Sequence, residues 1–263
     1  MGYRKTSPEY GNWVPINFIY ALSGASGFFL VLVILNIVWW KKPLLSVILS
    51  FFFLLMSGYT LYMLSCRKEF SFEGGGLMRK IHRLLLSKLP WDQKGKVLDI
   101  GCGSGALSIL CAKEFPRVSV TGMDYWGIEW SYGKEQCEKN ASSEEIKGIE
   151  FVQGDAASLP FETETFDAVI SNFVFHEVRT EPDKRKLVKE ALRILKKGGS
   201  FAFNDMFAFK RMYGNMEDFI KELKEEGIEE IHYEANLEKL DFIPKFTATP
   251  LMLKGMGILY GRK

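Results

Sequence analysis

Charged residues are missing from two long stretches near the start of the chain, residues 11–40 and 44–66, and are regular everywhere after them. Each stretch exceeds the roughly 20 residues that a helix needs to cross about 30 Å of hydrocarbon. Lys41, Lys42 and Pro43 separate the two. The pattern predicts a transmembrane helical hairpin over residues 1–66, with helices at about 14–40 and 44–66 and both ends on one side of a membrane. Trp13, Trp39, Trp40 and Tyr62 fall where amphipathic rings favour the interface. Ser23, Gly24, Ser26 and Gly27 on the first helix, with Ser57 and Gly58 on the second, allow the pair to pack closely. A signal peptide starting at Arg4 and Lys5, with a small-residue region at 21–27, is the weaker alternative because a second full-length apolar run follows. A buried core hairpin of a soluble fold is weaker still.

Residues 67–90 read as a linker and an entry helix. Residues 71–76 contain three successive glycines, a flexible joint, and residues 77–89 place Leu77, Ile81, Leu84, Leu85 and Leu89 at helical spacing among Arg79, Lys80, His82, Arg83 and Lys88. Two roles compete for this amphipathic helix: resting on anionic lipid headgroups, or packing on the edge of the next domain with its charges solvated. Lys41 and Lys42 lie in the outward loop if that domain is cytosolic. They are outnumbered by Arg4, Lys5, Arg67, Lys68, Arg79, Lys80 and Arg83 on the other side, so the N-terminus and the following domain are both expected to face the cytosol.

From residue 91 to 263 the period alternates between that of short buried strands and that of helices. Strands are expected at 96–100, 118–123, 149–153, 166–171 and 200–203, with helices at 106–114, 130–140 and one opening at Thr180, Pro182 and Asp183 and stopped by Gly198 and Gly199. A helix at 216–226, a strand at 228–233, an irregular stretch at 235–250 and a last strand at 256–261 complete the chain. Alternation of this kind implies right-handed crossovers and a parallel sheet whose ligand sits at the carboxyl ends of the strands.

The totals narrow the function further. With 263 residues the chain is long enough for one α/β domain and something smaller, and a mean hydropathy near zero averages two unlike parts. A net charge of +2 gives no electrostatic sign of nucleic-acid binding. Cys66, Cys102, Cys111 and Cys137 form no CxxC pair, which suits a reducing compartment. Three scattered histidines and no HExxH or Cys/His cluster lead us to expect no built-in metal.

The richest stretch is KVLDIGCGSG at 96–105. Gly101, Gly103 and Gly105 allow positive φ and bare-backbone contact, and the helix that follows aims unpaired N–H groups at the same spot. The spacing is G-x-G-x-G rather than the dinucleotide G-x-G-x-x-G. About 20 residues on, Asp124 ends the second strand, where a carboxylate can accept both hydrogens of a ribose diol.

With Asp99 before the glycines, D-I-G-C-G-S-G resembles motif I of the class I S-adenosylmethionine (SAM) methyltransferases. The later GDAASLPFETETFDAVISNFVFHEV is similar to the quinone-biosynthesis and related small-molecule members. The resemblance covers about residues 77–263 and implies a Rossmann-like α/β fold: a seven-stranded, mostly parallel sheet with helices on both faces, closed by an antiparallel hairpin and preceded here by the two-helix transmembrane hairpin. It further implies that SAM is the cofactor and S-adenosylhomocysteine the product. Gly101, Cys102 and Gly103 would then approach the methionine part, Asp99 its ammonium, Asp124 the ribose, and Asp155 with the backbone at Ala156 the adenine. Tyr125 would lie on the adenine face or be ordinary core, and Asn172 would contact the cofactor through its backbone. The amino-methylating N/D-P-P-Y/F tetrad is absent, since Phe173, Val174 and Phe175 follow Asn172.

A sulfonium methyl is already activated, so few catalytic side chains are required beyond alignment and exclusion of water. His176, beside Glu177, is the histidine placed to take a proton from the acceptor, unless it merely packs its loop. The expected function is a membrane-anchored methyltransferase acting on a hydrophobic acceptor, quinone or lipid-like first and small lipophilic thiols second. A non-catalytic SAM-binding scaffold and a protein methyltransferase are the other readings.

Overall fold

The computed structural model describes residues 7–127 and 133–263. Arg4, Lys5 and the first three residues of the helix expected at 130–140 lie outside them. The chain divides into two compact units, Asn12–Met78 and, together, Met1–Gly11 with Arg79–Lys263.

The first unit is a helical hairpin. Helix α1 (Ile16–Leu35) runs into a π-helical turn at Asn36–Trp40, and α2 (Pro43–Phe70) returns. Pro43 is the first residue of α2 rather than part of the loop, because its missing N–H costs nothing there. Left-handed Lys41 makes the reversal. The turn is stapled by buried Asn36, whose amide nitrogen donates to the Lys42 carbonyl and to Ser46 Oγ. Midway, the Ser26 and Ser57 hydroxyls bond at 2.6 Å, where the small residues on both helices suggested close approach. At the open end Asn12 donates to the Arg67 carbonyl and Arg67 to that of Val14. Both helices are long and apolar enough to cross a membrane, and only 11% of either apolar window is buried, unlike a helix inside a soluble core.

Helix α3 (Leu77–Ser87) buries Ile81, Leu85 and Leu86 and exposes Lys80 and Arg83. Past the unit boundary its basic rim partly serves the α/β domain, since Arg83 pairs with Glu114 and Lys88, just beyond the helix, with Glu234.

Seven strands among the described residues form one sheet in the order β3-β2-β1-β4-β5-β7-β6. These are β1 (Gly95–Ile100), β2 (Val118–Asp124), β3 (Ile149–Gln153), β4 (Phe166–Asn172), β5 (Leu195–Asp205), β6 (Glu230–Glu234) and β7 (Gly257–Arg262). The first five are mutually parallel, and β7 runs antiparallel to both β5 and β6. Order reverses between β1 and β4, which places the ligand crevice at their carboxyl ends. The crossovers carry α4 (Ala106–Glu114), α5 (Lys134–Ser143) and α6 (Lys184–Arg193); α7 (Lys210–Tyr213) and α8 (Met216–Glu225) follow β5. On one sheet face Leu98, Ile100, Val169, Phe201 and Phe203 pack with Leu187, Val188 and Phe219 in a single apolar core. All four cysteines are free and buried.

Two local expectations are corrected. Pro182 lies outside α6, whose N-cap is Asp183, with the carboxylate accepting the Arg185 N–H at 3.1 Å. An aspartate cap satisfies an orphan N–H, which proline at that position cannot do. Nor do Gly198 and Gly199 stop the helix. It ends at Arg193, and both glycines lie inside β5, in the irregular stretch where pairing with β4 steps from Phe166↔Leu195 to Ala168↔Ser200. Gly198, at φ 73°, takes the left-handed conformation of that bulge.

Substituting Asp183→Ala removes the α6 cap. Thermal unfolding of the detergent-solubilised chain is expected to show a loss of about 1 kcal/mol, with no change in helix content at low temperature.

Candidate active site

The site grows from the turn after β1. Gly101 (φ 71°), Gly103 (φ 57°) and Gly105 (φ 83°) are all left-handed, which explains the glycine at every second position. Gly101 is constrained twice, because a Cβ there would stand 2.1 Å from Val174 Cγ2. The side-chain-free face of Gly101 is thus filled by protein. Gly105 opens α4, whose first turn offers the positive end of the helix dipole.

The turn is stitched to the end of β2. Gly101 and Cys102 N–H groups donate to the Met123 carbonyl at 2.7 and 3.0 Å. The Gly103 N–H donates to Asp124 Oδ2 and the Trp126 N–H to Asp124 Oδ1, each at 2.8 Å. Each carboxylate oxygen retains a second lone pair, so the pair can still accept from a diol. The Trp126 indole and the Cys137 thiol both donate to the Gly103 carbonyl, fixing the turn from its other side. Burial raises the Asp124 carboxyl above the usual range, while the N–H groups of Trp126 and Gly103 pull it back.

Asp99 is almost wholly buried and accepts from Ser108 Oγ at 2.6 Å; among the described residues its Oδ1 has no hydrogen-bond partner. Burial pushes its carboxyl up to about 7, against the pull of the Ser108 bond, and the neighbouring Asp124 adds to the rise. An orphaned carboxylate oxygen beside a second acid suits a cationic ligand group. Asp99, the glycine turn and Asp124 therefore fit an adenosyl sulfonium amino acid, which brings an ammonium and a ribose diol.

Asp155 and Ala156 follow β3, one residue past Gly154, whose N–H donates to the Asp124 carbonyl. Asp155 Oδ1 accepts the Ala157 N–H at 2.8 Å and the Thr180 hydroxyl at 3.0 Å, so Thr180 serves this turn instead of starting a helix. Tyr125 is largely exposed, at 63%, with its carbonyl held by Gln153. Asn172 ends β4, its Oδ1 accepting from Asn204 Nδ2 on β5 at 2.8 Å. The next residue, Phe173, is left-handed at φ 58° and donates its N–H to the Asn204 carbonyl. For a bulky residue this conformation is strained, a feature that gathers at functional sites.

His176 lies on a 3-10 turn, Phe175–Glu177, and bonds to β5 rather than to the cofactor acids. Its Nδ1 is 2.8 Å from Oδ1 of fully buried Asp205, which also accepts the Met206 N–H at 2.6 Å. Donation from Nδ1 leaves Nε2 as the acceptor of the neutral ring. Nε2 is 3.8 Å from Glu177 Oε1, too far for a hydrogen bond. Burial disfavours the imidazolium, but the Asp205 carboxylate outweighs it and His176 is held above its ordinary value. Burial likewise raises Glu177.

The turn and Asp124 are thus joined by direct hydrogen bonds, Asp99 lies just ahead of the turn on β1 within electrostatic reach of Asp124, Asp155 and Asn172 share the same sheet edge, and His176 belongs to a second pair with Asp205 of β5. Sequence reasoning missed Asp205, Trp126 and Asn140. The rule that picked Asp124, an acid closing an apolar strand, would have found Asp205 in FAFND; no local signal marks the other two.

Residues 98–203 match the protein family described as "Methyltransferase domain". The chain is similar to the demethylmenaquinone methyltransferase of Listeria welshimeri, with 35% identity over 45% of this chain and 48% of the relative. It is also similar to the chloroplastic 2-methyl-6-phytyl-1,4-hydroquinone methyltransferase 2 of Oryza sativa subsp. japonica, with 28% identity over 54% and 41%. The chain spans about half the length of these curated relatives, 48% and 41%. Among solved structures, the Haemonchus contortus phosphoethanolamine N-methyltransferase 2 in complex with S-adenosyl-L-methionine shares the fold, with a TM-score of 0.52 at 18% identity over 70% of this chain and 52% of that one.

The Asp99 environment makes a pH prediction. Its carboxyl is raised on folding from an ordinary 3.8 to about 7, so folding favours the protonated acid, and ligand-free stability is expected to fall as pH rises through that interval. Asp99→Asn should flatten the fall by a few kcal/mol, roughly, in denaturant titrations between pH 4 and pH 7.

Proposed function

We propose that this chain, whose α/β unit is a class I SAM-dependent methyltransferase domain, transfers a methyl group to a hydrophobic quinol-type acceptor at a membrane surface. The observation that carries this reading is the Gly103 N–H to Asp124 bond, which holds a diol-accepting carboxylate against the glycine turn and beside the orphaned oxygen of Asp99. The acceptor class draws support from the quinone and hydroquinone relatives. The membrane draws support from the two apolar helices, which would anchor the domain where such an acceptor concentrates. In this reading both hairpin ends and the domain face the cytosol.

Bound SAM supplies a methyl group on a sulfonium that leaves as a neutral thioether. The chain's own residues then have three tasks. Asp99 ionises to meet the ammonium, Asp124 accepts the ribose hydroxyls, and Asp155 with the Ala156 backbone faces the adenine, with Tyr125 at its exposed edge. The strand ends of β4 and β5, with Phe173 strained between them, form the floor on which the acceptor rests. His176 Nε2 takes the proton that the acceptor gives up, while Asp205 keeps the other ring nitrogen protonated and steadies the imidazolium.

Incubation with methyl-labelled SAM and fractionated membrane extract is expected to place label in a lipid-soluble quinone fraction; label confined to protein bands, or SAM bound without turnover, would refute the proposal. Asp124→Ala should weaken SAM binding by roughly a hundredfold, the scale of two lost charge-assisted hydrogen bonds, with the domain still folded; calorimetry of the variant checks this. A third expectation concerns pH. Because Asp205 raises His176, the acid limb of kcat/KM should lie above 6.5, the ordinary histidine value, and move down in Asp205→Asn. An unmoved limb would return His176 to a packing role.

A further inference from the structure

A short segment ahead of the hairpin is bound to the cofactor turn. Residues up to Gly11 belong with the α/β unit, and the hairpin unit begins at the next residue, Asn12. The buried side chain of Asn140 on α5 treats Glu9 as a neighbouring strand would. Its Oδ1 accepts the Glu9 N–H at 2.7 Å, and its Nδ2 donates to the Glu9 carbonyl at 2.9 Å. The same Nδ2 donates to the Ser104 carbonyl at 2.9 Å, inside the glycine turn. Ser104 answers in kind, its hydroxyl donating to the Tyr10 carbonyl at 2.8 Å. The Tyr10 hydroxyl reaches Glu144 at 3.1 Å, and its ring packs on the cluster of Cys102, Ile109, Cys137 and Phe151. These contacts clamp one face of the turn while β2 clamps the other.

We propose that residues 9–10, held by Asn140, are a positioning segment for the cofactor turn, so that cofactor affinity depends on the backbone that leads into the first apolar helix. This rests on the SAM reading of the site. The physical basis is preorganisation: a turn with alternate left-handed residues, whose Ser104 carbonyl and hydroxyl are already paired, does not have to be ordered by the ligand. Most of the bonds run through the Glu9 and Tyr10 main chain, so the identity of the Glu9 side chain should not matter.

That distinction supplies the experiment, performed on the full chain in detergent with S-adenosylhomocysteine as the probe. Glu9→Ala keeps every backbone bond and should bind within twofold of wild type. Glu9→Pro deletes the N–H given to Asn140 Oδ1, which keeps only the Gln136 Nε2 donor at 3.1 Å, and should raise the dissociation constant about fivefold, the scale of one lost hydrogen bond, with faster hydrogen exchange at Gly103. Asn140→Asp keeps the acceptor, loses both donors, and should move affinity the same way. Glu9→Pro should lower the unfolding midpoint and affinity together, whereas a merely structural segment would lower the midpoint without touching affinity. Wild-type affinity in both Glu9→Pro and Asn140→Asp overturns the proposal. Failure of the wild-type chain itself to bind the probe overturns the SAM reading beneath it.

Discussion

Three consecutive backbone amides after β1 donate to the end of β2, two to the Met123 carbonyl and one to the Asp124 carboxylate. A hydrogen-bond donor in that turn has no helix or ladder partner of its own, and a buried unpaired N–H would cost about 1–3 kcal/mol. Satisfying them against β2 rather than solvent fixes the shape of the turn, the direction of the Asp124 oxygens and the start of α4 in one stroke. The glycines follow from this geometry, since three left-handed positions within five residues leave little room for anything else.

The same arrangement accounts for the acids. Asp124 lies close enough for its charge to be felt by Asp99, which is buried with one oxygen unpaired among the described residues. A sequence optimised for stability alone would not keep two carboxyls there. The pair is tolerable because burial favours the protonated form of Asp99, and because Asp124 is propped by two main-chain donors. Across the sheet, His176 and Asp205 show the complementary solution, in which a buried carboxylate is stabilised by an imidazole and a backbone N–H.

The parts of this fold legible in sequence were those set by period and by backbone chemistry. Short apolar runs gave the strands, left-handed glycines the turn, and absent charge the hairpin. What escaped was the choice between two local solutions of similar composition, and contacts made across long stretches of chain. Asp183 and Pro182 compete for the same helix start, and only the Arg185 N–H in place decides between them. Gly198 and Gly199 read locally as a helix stop, yet a strand with a bulge needs the same residue type. Asn140 sits on a polar helix with nothing in its neighbours to single it out, because its partners Glu9 and Ser104 are 131 and 36 residues away. At the site, the acids that close strands were readable and their hydrogen-bonding partners were not.

The burial of all four cysteines has a practical corollary. Burial pushes the thiols of Cys102 and Cys111 upward, away from the reactive thiolate. The native chain thus offers a nearly silent background to maleimide-type reagents. A single cysteine engineered into the Lys41–Lys42 loop, or beside Arg83, becomes a reporter whose labelling from one face of a sealed vesicle or the other reads out orientation directly.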